Sequence, residues 1–209
     1  MITNHTELLQ ALIDKHGLKS YLEIGVQDPA NNLNKIKCKN RIGVDPCLEG
    51  NTVHLSDKVE FILMGETSDV FFALNNKHNR LSNIGPIDLI FIDGLHHADQ
   101  VKRDFDNALA NLTDGGRIVI HDCLPEREDT THVPRDSRVW HGDVYKFCMT
   151  LHEYEDIDYV TYNIDHGCCV VWKKPGHSNF QAMPPVQLTW PFFQSYGRQL
   201  LKVQDGVTI

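Results

Sequence analysis

Hydrophobic positions along the chain fall into short blocks whose internal spacing changes from place to place. In residues 6–16, Leu8, Leu9, Leu12 and Ile13 recur at the spacing of one helical face, and Gly17 closes the segment. Five continuous apolar runs follow, at 21–26, 40–45, 59–64, 87–93 and 117–121, each ended by turn residues. Uninterrupted runs of this kind are how strands covered on both faces read. Helical spacing returns between them, in 68–75 and in 97–112, where Val101, Phe105, Ala108, Leu109 and Leu112 share a face. Thr113-Asp114-Gly115-Gly116 predicts a turn. Past a polar, proline-bearing loop at 123–140, Asp143 is placed to cap a helix running to about His152. Two further strands, 158–162 and 167–173, are joined by a turn at 163–166.

Strands alternating with helices predict an α/β, Rossmann-like architecture. It is a mostly parallel seven-stranded sheet with helices on both faces and an antiparallel last strand. Residues 1–175 read as one domain. The tail, 176–209, carries Trp190, Phe192, Phe193, Tyr196, Leu200 and Leu201 and is expected to pack on the same domain. A chain of 209 residues suits a single core.

Composition narrows the function. A net charge of −8 lacks the basic footprint that phosphate neutralisation requires, so nucleic acid is not an expected partner. No apolar stretch approaches the roughly 20 residues of a membrane span, and the first 15 residues read as an amphipathic helix rather than a signal peptide. The six cysteines form no C-x-x-C pair and read as free thiols of a cytoplasmic protein. A small-molecule acceptor is the expected partner, with a homodimer left open.

In open parallel sheets ligands bind beyond the carboxyl ends of the strands. Those ends carry Glu23-Ile24-Gly25, Asp45, Gly65-Glu66-Thr67, Asp93 and His121-Asp122. Turn preferences explain any one of these singly. Five in register point to a site. Gly25 allows a close backbone approach. The loop after it, 26–32, has no further glycine and no lysine, which disfavours a nucleoside triphosphate. Asp45, roughly 20 residues after the first strand end, is placed to accept hydrogen bonds from ribose hydroxyls.

The strings Tyr21-Leu22-Glu23-Ile24-Gly25-Val26, Ile42-Gly43-Val44-Asp45-Pro46 and Asp88-Leu89-Ile90-Phe91-Ile92-Asp93-Gly94-Leu95-His96 resemble class I S-adenosylmethionine-dependent methyltransferases. Arg103-Asp104, Leu112-Thr113-Asp114-Gly115-Gly116 and Val119-Ile120-His121-Asp122 extend the match, and the nearest likeness is to the macrocin O-methyltransferase and cephalosporin-hydroxylase-like group. The resemblance implies a Rossmann-like methyltransferase fold binding S-adenosylmethionine. Glu23 and Gly25 would border its methionine part, Asp45 the ribose, and Gly65, Glu66 and Thr67 the adenine side, with Asp93 also at the cofactor. The implied reaction is methyl transfer to a hydroxyl of a small metabolite, such as a sugar or natural product.

Asp93, His121 and Asp122 end adjacent strands and suit a divalent ion, Mg²⁺ or Mn²⁺. Such an ion acidifies a bound hydroxyl. A metal-free route would use His96 or His121 as general base. A third reading leaves Asp93 touching only the cofactor, with His121-Asp122 shaping the turn. The loop at 125–140 reads as a lid over the acceptor, because long loops in compact domains are often functional. Arg135 and Arg138 suit an anionic acceptor, and Trp140 and His141 its pocket. Two other classes stay open: an NAD-type oxidoreductase on a similar sheet, and a non-catalytic domain that keeps the fold.

Overall fold

The computed structural model describes residues 1–48, 52–55, 60–78, 85–180 and 184–209. Within it the apolar runs lie side by side in one sheet. Its strands are β1 (Ser20–Ile24), β2 (Asn40–Val44), β3 (Thr52–Leu55), β4 (Glu60–Met64), β5 (Ile87–Ile92), β6 (Leu112–Ile120), β7 (Glu155–Tyr162), β8 (Cys168–Ser178) and β9 (Val203–Gln204). Their order is β3-β4-β2-β1-β5-β6-β8-β7-β9. The pairs from β4 to β6 are parallel, and β8 is antiparallel to both β6 and β7. This is the expected mixed, mostly parallel α/β sheet, with two additions. The short strand β3 pairs antiparallel with β4 at one edge, and β9 pairs parallel with β7 at the other. Neither has the length or apolar continuity that marks a buried strand. Val59, expected to open a strand, lies outside the described residues.

Alternate residues of each central strand serve opposite faces, as a period of two requires. On one face Tyr21, Leu89, Phe91, Val119 and Val170 pack against Leu8, Leu9, Leu12 and Ile13 of α1 (His5–His16). On the other, Leu22, Ile24, Ile42, Ile90 and Ile92 meet α2 (Ser68–His78), α3 (Ala98–Asn111), α4 (Val144–Met149) and α5 (Trp190–Leu200). Phe192, Phe193 and Leu200 of α5 belong to this same core. The crossover from β1 to β2 carries turns instead of a regular helix, and its Leu33 and Ile36 complete the α1 face.

Two local expectations are corrected. Residues 113–116 continue β6 rather than forming a turn. The register against β5 shifts between Ile87 and Leu89, and a Cβ on Gly116 would lie 2.8 Å from the Asp88 carbonyl oxygen, so glycine lets the irregular strand pass. The helix after Asp143 ends at Met149 and tightens into a 3-10 turn, Thr150–Glu153. Asp143 flanks α4 but makes no side-chain cap there. Its Oδ1 instead accepts from the backbone N–H of Ala98, 2.7 Å away, and so caps the start of α3.

Candidate active site

The strand ends form one row because each continues the sheet ladder by one bond. Gly25 donates its N–H to the Val44 carbonyl, Asp45 to Met64, Asp93 to Ile24 and His121 to Ile92, at 2.9–3.1 Å. The row crosses the point where β1 has β2 on one side and β5 on the other, which is where open α/β sheets bind ligands. Gly25 has φ +92°, and a Cβ there would lie 2.2 Å from the Asp93 carbonyl oxygen. Only glycine fits that approach.

Around Gly25 the first loop is braced by acids. Asp45 accepts from the backbone N–H of Gln27 at 2.8 Å and of Cys47 at 2.7 Å. Glu23 is 2 % exposed. Its Oε2 accepts from the Tyr21 hydroxyl at 2.6 Å and from Asn32 Nδ2 at 2.8 Å. Burial pushes the Glu23 carboxyl up to about 7, against the pull of those two bonds. Its carboxyl group holds the loop from within the fold through Asn32. Past the end of β4, Thr67 accepts from Val70 N–H through Oγ1 at 3.3 Å, and its carbonyl takes the Phe71 N–H, so it starts α2. Gly65 and Glu66 stand immediately before it.

Asp93 and Asp122 are flanked by two imidazoles. His121 Nδ1 lies 3.1 Å from Asp93 Oδ1 and 3.7 Å from Asp122 Oδ1. His96 Nε2 lies 3.4 Å from Asp93 Oδ1, and its Nδ1 3.3 Å from Asp122 Oδ2. Atoms of Asp93, His96 and Asp122 fall within 4.8 Å of one another. Each ring is also held by a backbone carbonyl: His121 Nε2 at 2.7 Å from Asp165 O, His96 Nδ1 at 3.3 Å from Trp140 O. The carbonyls accept, so those nitrogens donate; His121 turns its opposite nitrogen, Nδ1, toward both carboxylates, whereas His96 turns Nε2 toward Asp93 and keeps Nδ1 beside Asp122. Metal-binding histidines are oriented in this way. Asp122 itself has φ +58°, a strained position that Asp tolerates better than most residues.

The charges reinforce one another. Burial opposes ionisation of Asp93, but His121 and His96 outweigh it and hold that carboxyl well below the usual range. Burial likewise opposes the His121 cation, and Asp93, Asp122 and Asp165 overcome it, raising His121 to about 9. Asp122 goes the other way, because burial exceeds the help it receives from His121 and His96.

Two residues outside the sequence candidates join this site. His5, at the start of α1, stacks on Phe91 with ring centroids 5.3 Å apart and meets His121 edge-on at 4.8 Å. Its Nδ1 lies 2.6 Å from Asp165 Oδ2, and that oxygen also accepts the His5 backbone N–H. Asp165 sits in the β7–β8 turn, where Asp165, His166 and Gly167 all have positive φ. The only trace of this in the sequence is a turn rich in Asp, His and Gly.

The loop runs over the cluster. Trp140 stacks on His96 at 5.3 Å. A Cβ on Gly142 would lie 1.8 Å from the His96 carbonyl oxygen, so the loop can close down only on a glycine. His141 is buried beside His166, with ring centroids 4.5 Å apart. Arg135, exposed on the loop, donates to the carbonyls of Ser137 and Arg138 and lies over the Trp140 ring. Arg138 is exposed on the loop, apart from the cluster. A cavity of about 480 Å³ opens between this loop, α4 and the tail, lined by Glu128, Thr131, Asp143, Tyr145, Leu188 and Trp190. Asp143 connects it to the cluster, since its N–H donates to the His96 carbonyl.

Comparison with known proteins gives the family and similar folds. Residues 5–123 match the family described as a methyltransferase domain. The fold is similar to an O-methyltransferase from Bacillus cereus solved with S-adenosylhomocysteine, at 17% identity and TM-score 0.55, over 81% of this chain and 80% of that one. It is also similar to the S-adenosylhomocysteine-bound methyltransferase PaMTH1 of Podospora anserina, at 18% identity and TM-score 0.54, over 81% and 77%. A third is MycE of the mycinamycin biosynthetic pathway, in complex with Mg, S-adenosylhomocysteine and mycinamycin VI. It matches at 17% identity and TM-score 0.50, over 85% of this chain and 50% of that one. No curated protein sequence matches. The chain belongs to the methyltransferase-domain family; it is an S-adenosylmethionine-dependent methyltransferase. Among the described residues no helix is long and apolar enough to cross a membrane.

Proposed function

We propose that the protein transfers the methyl group of S-adenosylmethionine to a hydroxyl of a small, polyhydroxylated metabolite. The observation that carries this reading is the paired carboxylates Asp93 and Asp122, flanked by His96 and His121, next to the Gly25–Asp45 cradle. S-adenosylmethionine is a sulfonium cation, and an acidic row of strand ends suits it. Gly25 would let the methionine part approach the backbone, Asp45 would take the ribose hydroxyls, and Gly65, Glu66 and Thr67 would border the adenine. Glu23 would act indirectly, by fixing the loop through Asn32.

Asp93, Asp122 and His121 Nδ1 offer a donor set that fits a divalent ion, with the imidazole favouring Mn²⁺ over Mg²⁺. When bound, such an ion lowers the pKa of a coordinated hydroxyl. His96 then serves as the proton acceptor. Its Nδ1–H is anchored on Trp140 O, which leaves Nε2, on the Asp93 side, to take the proton. The acceptor oxygen must stand in line with the S–CH₃ bond, so much of the rate comes from holding it there. The loop bearing Trp140 excludes water above, and the neighbouring cavity gives the acceptor its room. The Asp93-Gly94-Leu95-His96 and His121-Asp122 pattern supports a place near the macrocin O-methyltransferase group.

Methyl transfer from isotope-labelled S-adenosylmethionine to a panel of phenols, catechols and sugars tests the reading. Activity that disappears with EDTA and returns with Mn²⁺ or Mg²⁺ is expected. Undiminished turnover after exhaustive chelation would remove the ion, and His96→Ala with full activity would remove the base.

A further inference from the structure

A second set of metal-binding atoms meets at the other nitrogen of His121. Ligand atoms of His5, His121 and Asp165 fall within 4.8 Å of one another. His5 Nδ1 lies 2.6 Å from Asp165 Oδ2, and His121 Nε2 lies 3.8 Å from the same oxygen. A tetrahedral ion bonded at about 2.0–2.2 Å spreads its ligands about 3.3 Å apart, so each separation needs to change by less than about 1 Å. Three segments hold the set: His5 opens α1, His121 follows β6, and Asp165 lies in the β7–β8 turn. The His5 ring stacks on Phe91 at 5.3 Å, and its backbone N–H donates to Asp165 Oδ2 at 2.9 Å. The fold therefore sets the tripod before any ion arrives. It is also open to solvent, because the side chains of His5 and Asp165 are 23 % and 25 % exposed.

Two imidazoles with one carboxylate suit Zn²⁺, which takes nitrogen ligands and leaves a fourth position to water. Mg²⁺ prefers oxygen. We propose that His5, His121 and Asp165 bind Zn²⁺ separately from Asp93 and Asp122, and that this ion inhibits methyl transfer. Binding displaces the hydrogens on His5 Nδ1 and His121 Nε2, which face Asp165 Oδ2 and Asp165 O. His5 keeps a hydrogen on Nε2 and His121 keeps one on Nδ1, where Asp93 Oδ1 accepts it at 3.1 Å; any further proton passes to water. With that hydrogen in place, His121 Nδ1 has no lone pair for an ion at Asp93 and Asp122. Occupying both nitrogens would need a ring stripped of both hydrogens. The two ions therefore compete for His121, and each weakens the binding of the other by the same factor. The Zn²⁺ site stands on its own geometry, whereas the inhibition rests on the methyl-transfer reading with its divalent ion.

The full chain, stripped with EDTA and dialysed, is titrated with Zn²⁺ by calorimetry and with Co²⁺ by visible absorption. One tight site with the intense bands of four-coordinate Co²⁺ is expected. His5→Phe keeps the stacking on Phe91 and deletes the nitrogen. Asp165→Asn keeps an oxygen for the His5 N–H and deletes the charge. With the fold checked by circular dichroism, each should weaken Zn²⁺ binding by at least the roughly 10- to 100-fold that losing an outer-shell partner costs. In ¹⁵N-histidine spectra of the parent, Zn²⁺ should remove the His121 Nε2 hydrogen and leave Nδ1–H. Bound Mn²⁺, followed by electron paramagnetic resonance, should be released by one equivalent of Zn²⁺ from the parent and only by an excess from His5→Phe. Absence of a tight Zn²⁺ site in the parent, equal Zn²⁺ affinity in parent and variants, equal release of Mn²⁺, or a His121 that keeps Nε2–H overturns the inference. Each of these leaves methyl transfer standing, since binding of S-adenosylhomocysteine tests that separately. A parent that binds Zn²⁺ at this site but never Mn²⁺ would overturn the inhibition together with the active-site ion.

Discussion

Replacing Glu23 with Gln separates its charge from its shape. The carboxyl is 2 % exposed and holds its proton up to about pH 7. In the unfolded chain it would ionise near its ordinary 4.5. Between those values the folded state keeps a proton that the unfolded state has lost, so this group's contribution to stability falls as pH rises. Converted at about 1.4 kcal/mol per tenfold in proton affinity, the whole gap is worth about 3 kcal/mol. About 2.5 kcal/mol of it develops between pH 5 and 8.5. Gln has no proton to lose, and its amide oxygen can still accept from Tyr21 and Asn32. Urea unfolding of both proteins at pH 5 and 8.5 should show Glu23→Gln gaining on the parent by that amount as pH rises. In thermal melts the relative gain corresponds to roughly 5–10 °C for a chain of this size. A difference that does not change with pH would refute the claim that burial governs this carboxyl.

Other substitutions probe the remaining supports. Gly25→Ala puts a methyl group against Asp93 O at φ +92°; loss of cofactor binding and a fall of several °C in Tm are expected, and normal binding would show that the approach is not needed. Asp143→Ala removes the cap of α3, and a destabilisation of about 0.5–2 kcal/mol with a lower kcat, from a looser His96, is expected in urea unfolding and turnover. Asp158, held by Lys174 and Lys202, has its carboxyl lowered to about 2 although burial opposes that. Its stabilisation is present above the unfolded value of 3.8 and is lost as pH falls through about 2. Asp158→Asn should therefore cost about 2 kcal/mol at pH 7, and a difference that persists in full at pH 2 would contradict the assignment.

The central sheet was readable because strands buried on both faces are continuous apolar runs, and their ends then delivered Gly25, Asp45, Asp93 and His121 to one row. The edge strands β3 and β9 lacked that signature. Within the site, the sequence could place Asp93, His96, His121 and Asp122 near one another but not how the two rings divide. That depends on the carbonyls of Trp140 and Asp165, which come from distant segments. The contact of His5 with Asp165 joins the two ends of the core and leaves no local pattern. Glu23 looks like a ligand-facing acid in the linear string, and its burial follows from Tyr21 and Asn32. Arg135 donates to two carbonyls of its own loop, Ser137 and Arg138, a contact set by the loop's path that residue type alone does not show.

Calorimetric titration of S-adenosylmethionine and S-adenosylhomocysteine into the full chain, with Asp45→Ala alongside, tests the account most directly. One-site binding in the micromolar range by the parent, weakened at least tenfold in the variant, is the predicted result. Absence of binding by the parent at high micromolar ligand would contradict it.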